Sequence, residues 1–167
     1  ECQARKPSHH LDAMVRLYRP FQQHAVLLDV SQPDGDCGNR KLLIAPGLEL
    51  ISEDQAGVLR QFVADGGVLF ACAPGFHKDE HGVYYPTPGL PLQEVLGVQL
   101  EDVQWNGAKE VLLDDGRAFA IDYWAEPATA AGAKVLGTFA GTDRPAVFEN
   151  SYGKGKAFYM ACISADL

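Results

Sequence analysis

The chain has 167 residues, is 47% apolar and carries a formal net charge of −8. This length and composition predict one globular domain over residues 1–167. The acidic balance argues against nucleic-acid and membrane partners, because both need a basic surface. No run of about 18 apolar residues occurs, and residues 1–7 lack the apolar core of a signal peptide. The four cysteines lack the spacing of metal or redox motifs, and Cys72 and Cys162 end apolar runs, which predicts that these two are core thiols. The chain is neither short nor cysteine-dense, which predicts a cytoplasmic location.

The first half of the chain predicts alternating helices and strands. Apolar residues at spacings of three and four predict a helix over 10–23, with Ser8 as its N-cap. Short apolar runs at 25–30, 41–46 and 67–73 then predict three strands. Because these runs are continuously apolar and do not alternate, they favour a parallel sheet with helices on both faces.

A second helix is predicted between the last two of these strands. Ser52 and Gln55 have the spacing of a capping box, and Gly66 stands where a helix often ends. Residues 9–97 therefore form the parallel α/β half of the predicted domain. Residues 1–8 are interpreted as an irregular start.

The second half of the chain has a different pattern. Residues 74–92 form a long loop rich in Gly, Pro and Tyr, and a short helix is predicted around 92–96. Residues 98–167 then form a β-rich half with strand-length runs at 98–104, 109–113, 117–123, 134–140, 145–149 and 156–162. Gly153 and Gly155 precede a strand-like run and no helix opens after them, so they predict a hairpin turn and not a phosphate-binding loop.

Several motifs occur in the order found in a known family. They are Leu17-Tyr18-Arg19, Leu42–Pro46, Leu59–Val63 before Gly66-Gly67, Asp79-Glu80, Pro88-Gly89-Leu90, Trp124-Ala125-Glu126, Arg144–Val147 and Tyr152–Gly155. Together they resemble the middle domain of family-42 glycoside hydrolases, the β-galactosidase trimerisation domain. The resemblance covers most of the chain. It implies a flavodoxin-like three-layer α/β sandwich with a mostly parallel sheet, similar to the class I glutamine amidotransferases.

The same resemblance implies a function. The domain is expected to be non-catalytic and to support a homotrimer of a bacterial β-galactosidase, whose galactoside is bound and hydrolysed mainly by a separate barrel domain. The family's domain opens with a strand, whereas residues 1–7 are polar and include Pro7. In a doubly wound sheet that strand lies between 25–30 and 41–45. We therefore expect upstream residues to supply it, or the two flanking strands to pair directly.

A cysteine-dependent hydrolase, amidotransferase-like or peptidase-like, is the alternative function. Cys72 ends a strand before a turn, as a nucleophile does in such enzymes, and His77 is a nearby proton acceptor. Those enzymes take their histidine from near the C-terminal end, yet the last histidine of this chain is His81. We therefore expect Cys72 to be a buried structural thiol.

No catalytic carboxylates are predicted within the chain. The candidate acidic pairs are Asp79 with Glu80, Glu101 with Asp102, Asp114 with Asp115, and Asp122 with Glu126. Neighbouring residues of a strand point to opposite faces, so adjacent acids do not form the facing pair that a glycosidase needs. Solvated acids at turns and strand ends are the preferred interpretation.

No metal or cofactor site is predicted either. Metal ligands could in principle come from His9 with His10, or from His77 with Asp79, Glu80 and His81. A metal site needs three or four convergent groups, which these loop residues do not guarantee.

The aromatic residues of the second half predict a contact surface. Phe76, Tyr84 and Tyr85 lie in a loop with few sequence neighbours to cover them, which favours a subunit contact. Trp105 and Trp124 fit sugar stacking, a core position or a subunit contact.

Overall fold

The computed structural model describes residues 8–32, 37–86, 90–101 and 107–165. It divides into two compact units, residues 1–31 with residue 167, and residues 32–166. In the first unit, helix α1 spans Ser8–Gln23, which confirms the predicted helix. Ser8 is its first helical residue and not its cap, a shift of the size expected at helix ends. A single domain over the whole chain stays a prediction.

The strand predicted at 25–30 is wrong. Residues 26–30 have no regular secondary structure, and Leu27 is 97% exposed. An apolar run becomes a strand only where a neighbour completes its hydrogen-bond ladder, which the local sequence does not reveal. Direct pairing of this run with the strand at 41–45 therefore does not hold. Residues 1–7 lie outside the described residues, so a strand supplied from upstream stays a prediction.

The second unit contains ten described strands. They are β1 Leu42–Pro46, β2 Val68–Cys72, β3 Val98–Leu100, β4 Glu110–Leu113, β5 Ala118–Ala125, β6 Ala128–Ala130, β7 Lys134–Phe139, β8 Pro145–Tyr152, β9 Gly155–Met160 and β10 Cys162–Ser164. Eight of them form one sheet in the order β1-β2-β9-β8-β7-β4-β5-β10, and β3 pairs with β6 in a small second sheet. The strands of both predicted halves therefore share the main sheet.

Most of the predicted strands are confirmed. The run at 98–104 is a strand over Val98–Leu100 only, and residues 102–106 lie outside the described residues. The run at 156–162 is divided between β9 and β10. Strand β6, which is only three residues long, was not predicted.

The prediction of a mostly parallel sheet is wrong. Parallel pairing is confined to β1 with β2 and β2 with β9. The other neighbours in the main sheet pair antiparallel. One reason is that short turns join β4 to β5, β7 to β8 and β8 to β9, whereas parallel neighbours need long crossover connections. The fold is a mixed α/β arrangement in which a short parallel part continues into an antiparallel part.

The predicted hairpin turn joins β8 to β9. Tyr152 lies opposite Gly155 in the antiparallel register, and Gly153 has a φ of 59°. Glycine tolerates this positive φ better than other residues do, which explains its place at the turn. The predicted hairpin is therefore confirmed.

Helix α2 spans Glu53–Ala64 and has the predicted capping box. The amide of Gln55 donates to Oγ of Ser52 at 3.2 Å, and the amide of Ser52 donates to Oε1 of Gln55 at 3.0 Å. The helix ends before Gly66, which has a φ of 114°. These local signals confirm both predicted ends of α2.

Helix α3 spans Gln93–Leu96 and, together with α2, lies on one face of the main sheet. Asn150 of β8 donates from Nδ2 to the carbonyl of Val95 in α3 at 2.9 Å. Gly155 points to the same face, because it lies two residues before Ala157, the register partner of Asn150. An added Cβ at Gly155 would lie 2.2 Å from the carbonyl oxygen of Val63 in α2. The core of this unit therefore lies between this face and the two helices.

Candidate functional site

A buried polar cluster lies near the carboxyl end of β2, around the side chain of Glu126. Glu126 follows β5 and is 1% exposed, and its amide donates to the carbonyl of Ala161 at 2.9 Å. The cluster also contains His77, from the loop after β2, Trp124 of β5 and Tyr159 of β9. Two sheet strands and one loop therefore meet at a single carboxylate.

The carboxylate of Glu126 accepts three side-chain hydrogen bonds. Its Oε2 accepts from Nε2 of His77 at 2.9 Å and from Nε1 of Trp124 at 3.2 Å, and its Oε1 accepts from the hydroxyl of Tyr159. A buried ionised carboxylate is costly unless it is hydrogen-bonded and paired. The three donors explain how this side chain is accommodated in the core.

The cluster holds the nearby ionisable side chains in their neutral forms. Burial raises the pKa of Tyr159 well above its usual value, and the charge of Glu126 adds to the shift. Burial also raises the pKa of Cys72 to about 11, with a smaller contribution from Glu126. The pKa of Cys162 is raised by burial and by Cys72. A negative group in a desolvated site thus opposes any further negative charge.

These electrostatics bear on the predicted alternative of a thiol enzyme. A nucleophilic cysteine needs a lowered pKa, whereas that of Cys72 is raised. His77, the predicted proton acceptor, is buried, and its Nε2 bonds to Glu126. The arrangement favours a structural role for both side chains.

The loop after β2 folds back on itself as a small ribbon. The amide of Lys78 donates to the carbonyl of Glu49 at 3.0 Å, and the amide of Ile51 donates to the carbonyl of Lys78 at 2.9 Å. On the other side, the amide of Tyr85 donates to the carbonyl of His77 at 2.9 Å. The segment from His77 to Tyr85 is thus a hairpin held against the segment before α2.

The predicted contact residues of this loop have different environments. Phe76 is buried, so its side chain belongs to the core, and its assignment to a subunit contact is corrected. It belongs to a core cluster built from segments distant in sequence, which is why its sequence neighbours did not show its burial. Tyr85 is partly buried and donates from its hydroxyl to the carbonyl of Ile51 at 2.7 Å. Tyr84 is 59% exposed, and the neighbouring Val83 is 62% exposed.

Tyr84 shares one side of the ribbon with Leu50 and Lys78. Lys78 bridges to both residues, and bridge partners project to the same side. Its Nζ lies 4.6 Å from the centroid of the Tyr84 ring and 2.7 Å from Oε1 of Glu49. Leu50 is 48% exposed. We name Leu50 and Tyr84 the tip patch, an exposed apolar surface beside a paired lysine and glutamate.

The remaining candidates do not form a site among the described residues. No group of three or more His, Cys, Asp or Glu side chains there could hold a metal ion. The carboxylate of Asp79 accepts the amides of His81 and Val83 and so shapes the hairpin turn. Asp115 accepts a hydrogen bond from Arg117, and both side chains are exposed. Asp102, Trp105 and the side chains of His9 and His10 lie outside the described residues.

Sequence reasoning missed two features of this region. Tyr159 was counted only as part of an apolar strand, although a tyrosine inside such a run signals a buried hydroxyl that needs a partner. Leu50 and Val83 were not singled out, because their exposure depends on the ribbon. No helix in the described part of the chain is long and apolar enough to cross a membrane.

A family model for the β-galactosidase trimerisation domain matches residues 2–167. The chain belongs to this family. The β-galactosidase BgaB of Geobacillus sp. (strain Y412MC61) is 34% identical to this trimerisation domain over 151 residues, which are 86% of the chain and 22% of that protein. The β-galactosidase LacA of Lactobacillus acidophilus is 29% identical over 157 residues, 90% of the chain and 24% of that protein.

Solved structures show the same relationship. Gan42B, a GH42 β-galactosidase from G. stearothermophilus, matches the trimerisation domain with a TM-score of 0.87 and 30% identity, over 99% of this chain and 25% of that one. The β-galactosidase from Rahnella sp. R3 matches with a TM-score of 0.87 and 25% identity, over 95% and 25%. The domain therefore spans about a quarter of the length of each of these four relatives.

Proposed function

We propose that this chain is the non-catalytic assembly domain of a bacterial β-galactosidase and that the parent enzyme is a homotrimer. The observation that carries the proposal is the family match over residues 2–167, in a chain that spans 22% of BgaB. The remainder of such a protein leaves ample length for a separate catalytic barrel that binds the galactoside. The raised pKa of Cys72 argues against the alternative of a thiol enzyme in this domain.

The tip patch is the subunit contact that we propose. Leu50 and Tyr84 are 48% and 59% exposed on the same side of the ribbon, and large exposed apolar side chains that adjoin one another are typical of interaction sites. The adjacent Lys78 and Glu49 neutralise each other at 2.7 Å. Copies of a chain with a net charge of −8 repel one another, so a locally neutral patch is the favourable place for them to meet.

Two further assignments belong to this proposal. We assign the fold to the flavodoxin-like, class I glutamine amidotransferase-like group in a form whose sheet has gained antiparallel strands, supported by the parallel part β1-β2-β9 and by α2. We also propose a cytoplasmic location, which is supported by the unpaired thiols of Cys72 and Cys162.

The test measures the mass of the full-length protein by light scattering across a dilution series. Tyr84→Ser and Leu50→Ser should each weaken association, by at least about tenfold for Tyr84, because buried aromatic side chains dominate interface energies. Leu112→Ser on β4 is the matched control, since Leu112 and Leu50 are both 48% exposed. Unchanged association in both tip variants, or an equal effect of Leu112→Ser, contradicts the assignment of the tip patch.

A further inference from the structure

We propose that Glu126 is the positioning residue of the hairpin 77–85, acting through His77 to hold the tip patch in place for a second copy of the chain. The observation is the buried carboxylate of Glu126, which bonds to His77 at 2.9 Å at the base of that hairpin. The inference rests on the proposed function for its purpose. Its structural content, an anchored hairpin, can be measured separately.

His77 connects the buried cluster to the hairpin by two different groups. Its side chain bonds to Glu126, while its carbonyl accepts the amide of Tyr85 in the returning arm. Tyr84, the exposed aromatic residue of the tip patch, directly precedes Tyr85 in that arm. A change in the position of His77 is therefore transmitted to the tip patch across one backbone hydrogen bond.

The other contacts of Glu126 fix its carboxylate. Trp124 belongs to β5 and Tyr159 to β9, and both strands are parts of the main sheet. Tyr159 is fully buried, so its hydroxyl provides a rigid reference point. Glu126 thus joins a hairpin in a loop to the main sheet; loops are generally the more mobile parts of a fold and central strands the more rigid.

The geometry distinguishes hydrogen bonding from packing as the role of Glu126. In Glu126→Gln, the amide oxygen can take the place of Oε2 and accept from His77 and Trp124, while the amide nitrogen donates to the oxygen of Tyr159. In Glu126→Leu, the volume is largely kept but all three donors lose their acceptor. A positioning role therefore predicts rescue by Gln, whereas a role in packing alone predicts that Leu is tolerated.

Hydrogen exchange of the full-length protein, read by mass spectrometry, tests the proposal. In Glu126→Leu, the amides of Lys78, Val83 and Tyr85 should exchange about tenfold to a hundredfold faster than in the wild type, because the hairpin that holds them loses its charged anchor at His77. Peptides from β8 and β9 should be unchanged beyond about threefold. Glu126→Gln should stay within about threefold of the wild type in both regions. Glu110→Leu, at an exposed glutamate of β4, is the matched control and should change neither region.

A second variant keeps the proposal falsifiable if Glu126→Leu does not fold. His77→Leu removes the hydrogen bond between His77 and Glu126 but leaves Glu126 the donors Trp124 and Tyr159. Amides of the hairpin should then exchange about tenfold faster. If Glu126 acts through His77, hairpin amides in the double variant Glu126→Leu/His77→Leu should exchange no faster than in His77→Leu alone. Hairpin exchange that is unchanged in both single variants overturns the proposal, as does an equal increase in β8 and β9. A released hairpin with an unchanged assembly mass supports this inference and contradicts only the tip patch as the subunit contact.

Discussion

Gly155→Ala should separate helix α2 from the main sheet. An added Cβ at this position would lie 2.2 Å from the carbonyl oxygen of Val63 and 2.3 Å from that of Gly67. Both are backbone atoms, so no side-chain rotation can relieve the contact. The backbone of Gly155 itself does not have a positive φ, so the cost is steric and not conformational.

The structure sets the size of the effect. An ordinary carbon–oxygen contact is more than 1 Å longer than the 2.2 Å from the added Cβ to the carbonyl oxygen of Val63. Helix α2 can provide this space only by moving its buried residues away from the sheet. Leu59, Phe62 and Val63 are the large side chains on that buried face. Overpacking of a core costs about 1–3 kcal/mol and occasionally more, and two fixed atoms place this variant at about 3 kcal/mol. For a unit of this size, that is a fall of about 6–12 °C in Tm.

Thermal unfolding followed by circular dichroism measures this effect, with Gly57→Ala as the matched control. Gly57 lies inside α2 and an added Cβ would meet nothing within 4 Å. Alanine is favoured over glycine within a helix by about 1 kcal/mol, so the same substitution should raise Tm by about 2–4 °C. If Gly155→Ala unfolds within about 2 °C of the wild type, the seating of α2 on β9 described above is incorrect.

Two other predictions concern chemistry. The purified chain should not hydrolyse a chromogenic galactoside, and turnover that disappears on mutation of Asp79, Glu80, Asp122 or Glu126 would contradict this. Cys72 should react slowly with a small alkylating reagent at neutral pH and faster only as the pH approaches its pKa of about 11. Because this pKa is raised above the ordinary value of 9.0, burial of the neutral thiol contributes stability that is present below pH 9 and lost as the pH rises through about 11. Stoichiometric labelling near pH 7 that slows on replacement of His77 would favour the thiol enzyme.

Local signals in the sequence predicted the elements whose causes are local. The ends of α2 follow from Ser52, Gln55 and Gly66, whose hydrogen bonds and φ angles depend on neighbours within four residues. The turn at Gly153 is of the same kind. In these places, propensity and tertiary structure agree.

Pairing between distant segments could not be predicted in the same way. The apolar run of β9 looks like that of β2, yet β9 pairs parallel to β2 on one side and antiparallel to β8 on the other. The run at 25–30 is as apolar as that of β1 but forms no strand. The apolar content of a segment predicts that it can be buried, but it does not predict which strand it pairs with.

The candidate site depends even more on distant contacts. Glu126 was considered only within a family motif and as an acid near Asp122, because its donors Tyr159 and His77 lie 33 and 49 positions away. Phe76 and Tyr84 look equivalent in the sequence, yet Phe76 lies in the core cluster and Tyr84 is 59% exposed. The family resemblance supplied the function, whereas only the structure separates the buried anchor from the exposed patch.

The mass of the full-length protein in solution tests the central claim most directly. Sedimentation velocity or light scattering at micromolar concentration should give three times the mass of one protomer. The mass should fall on dilution more readily in Tyr84→Ser than in Leu112→Ser. A fully active enzyme that is monomeric or dimeric at that concentration would contradict the assignment of this chain to trimer assembly.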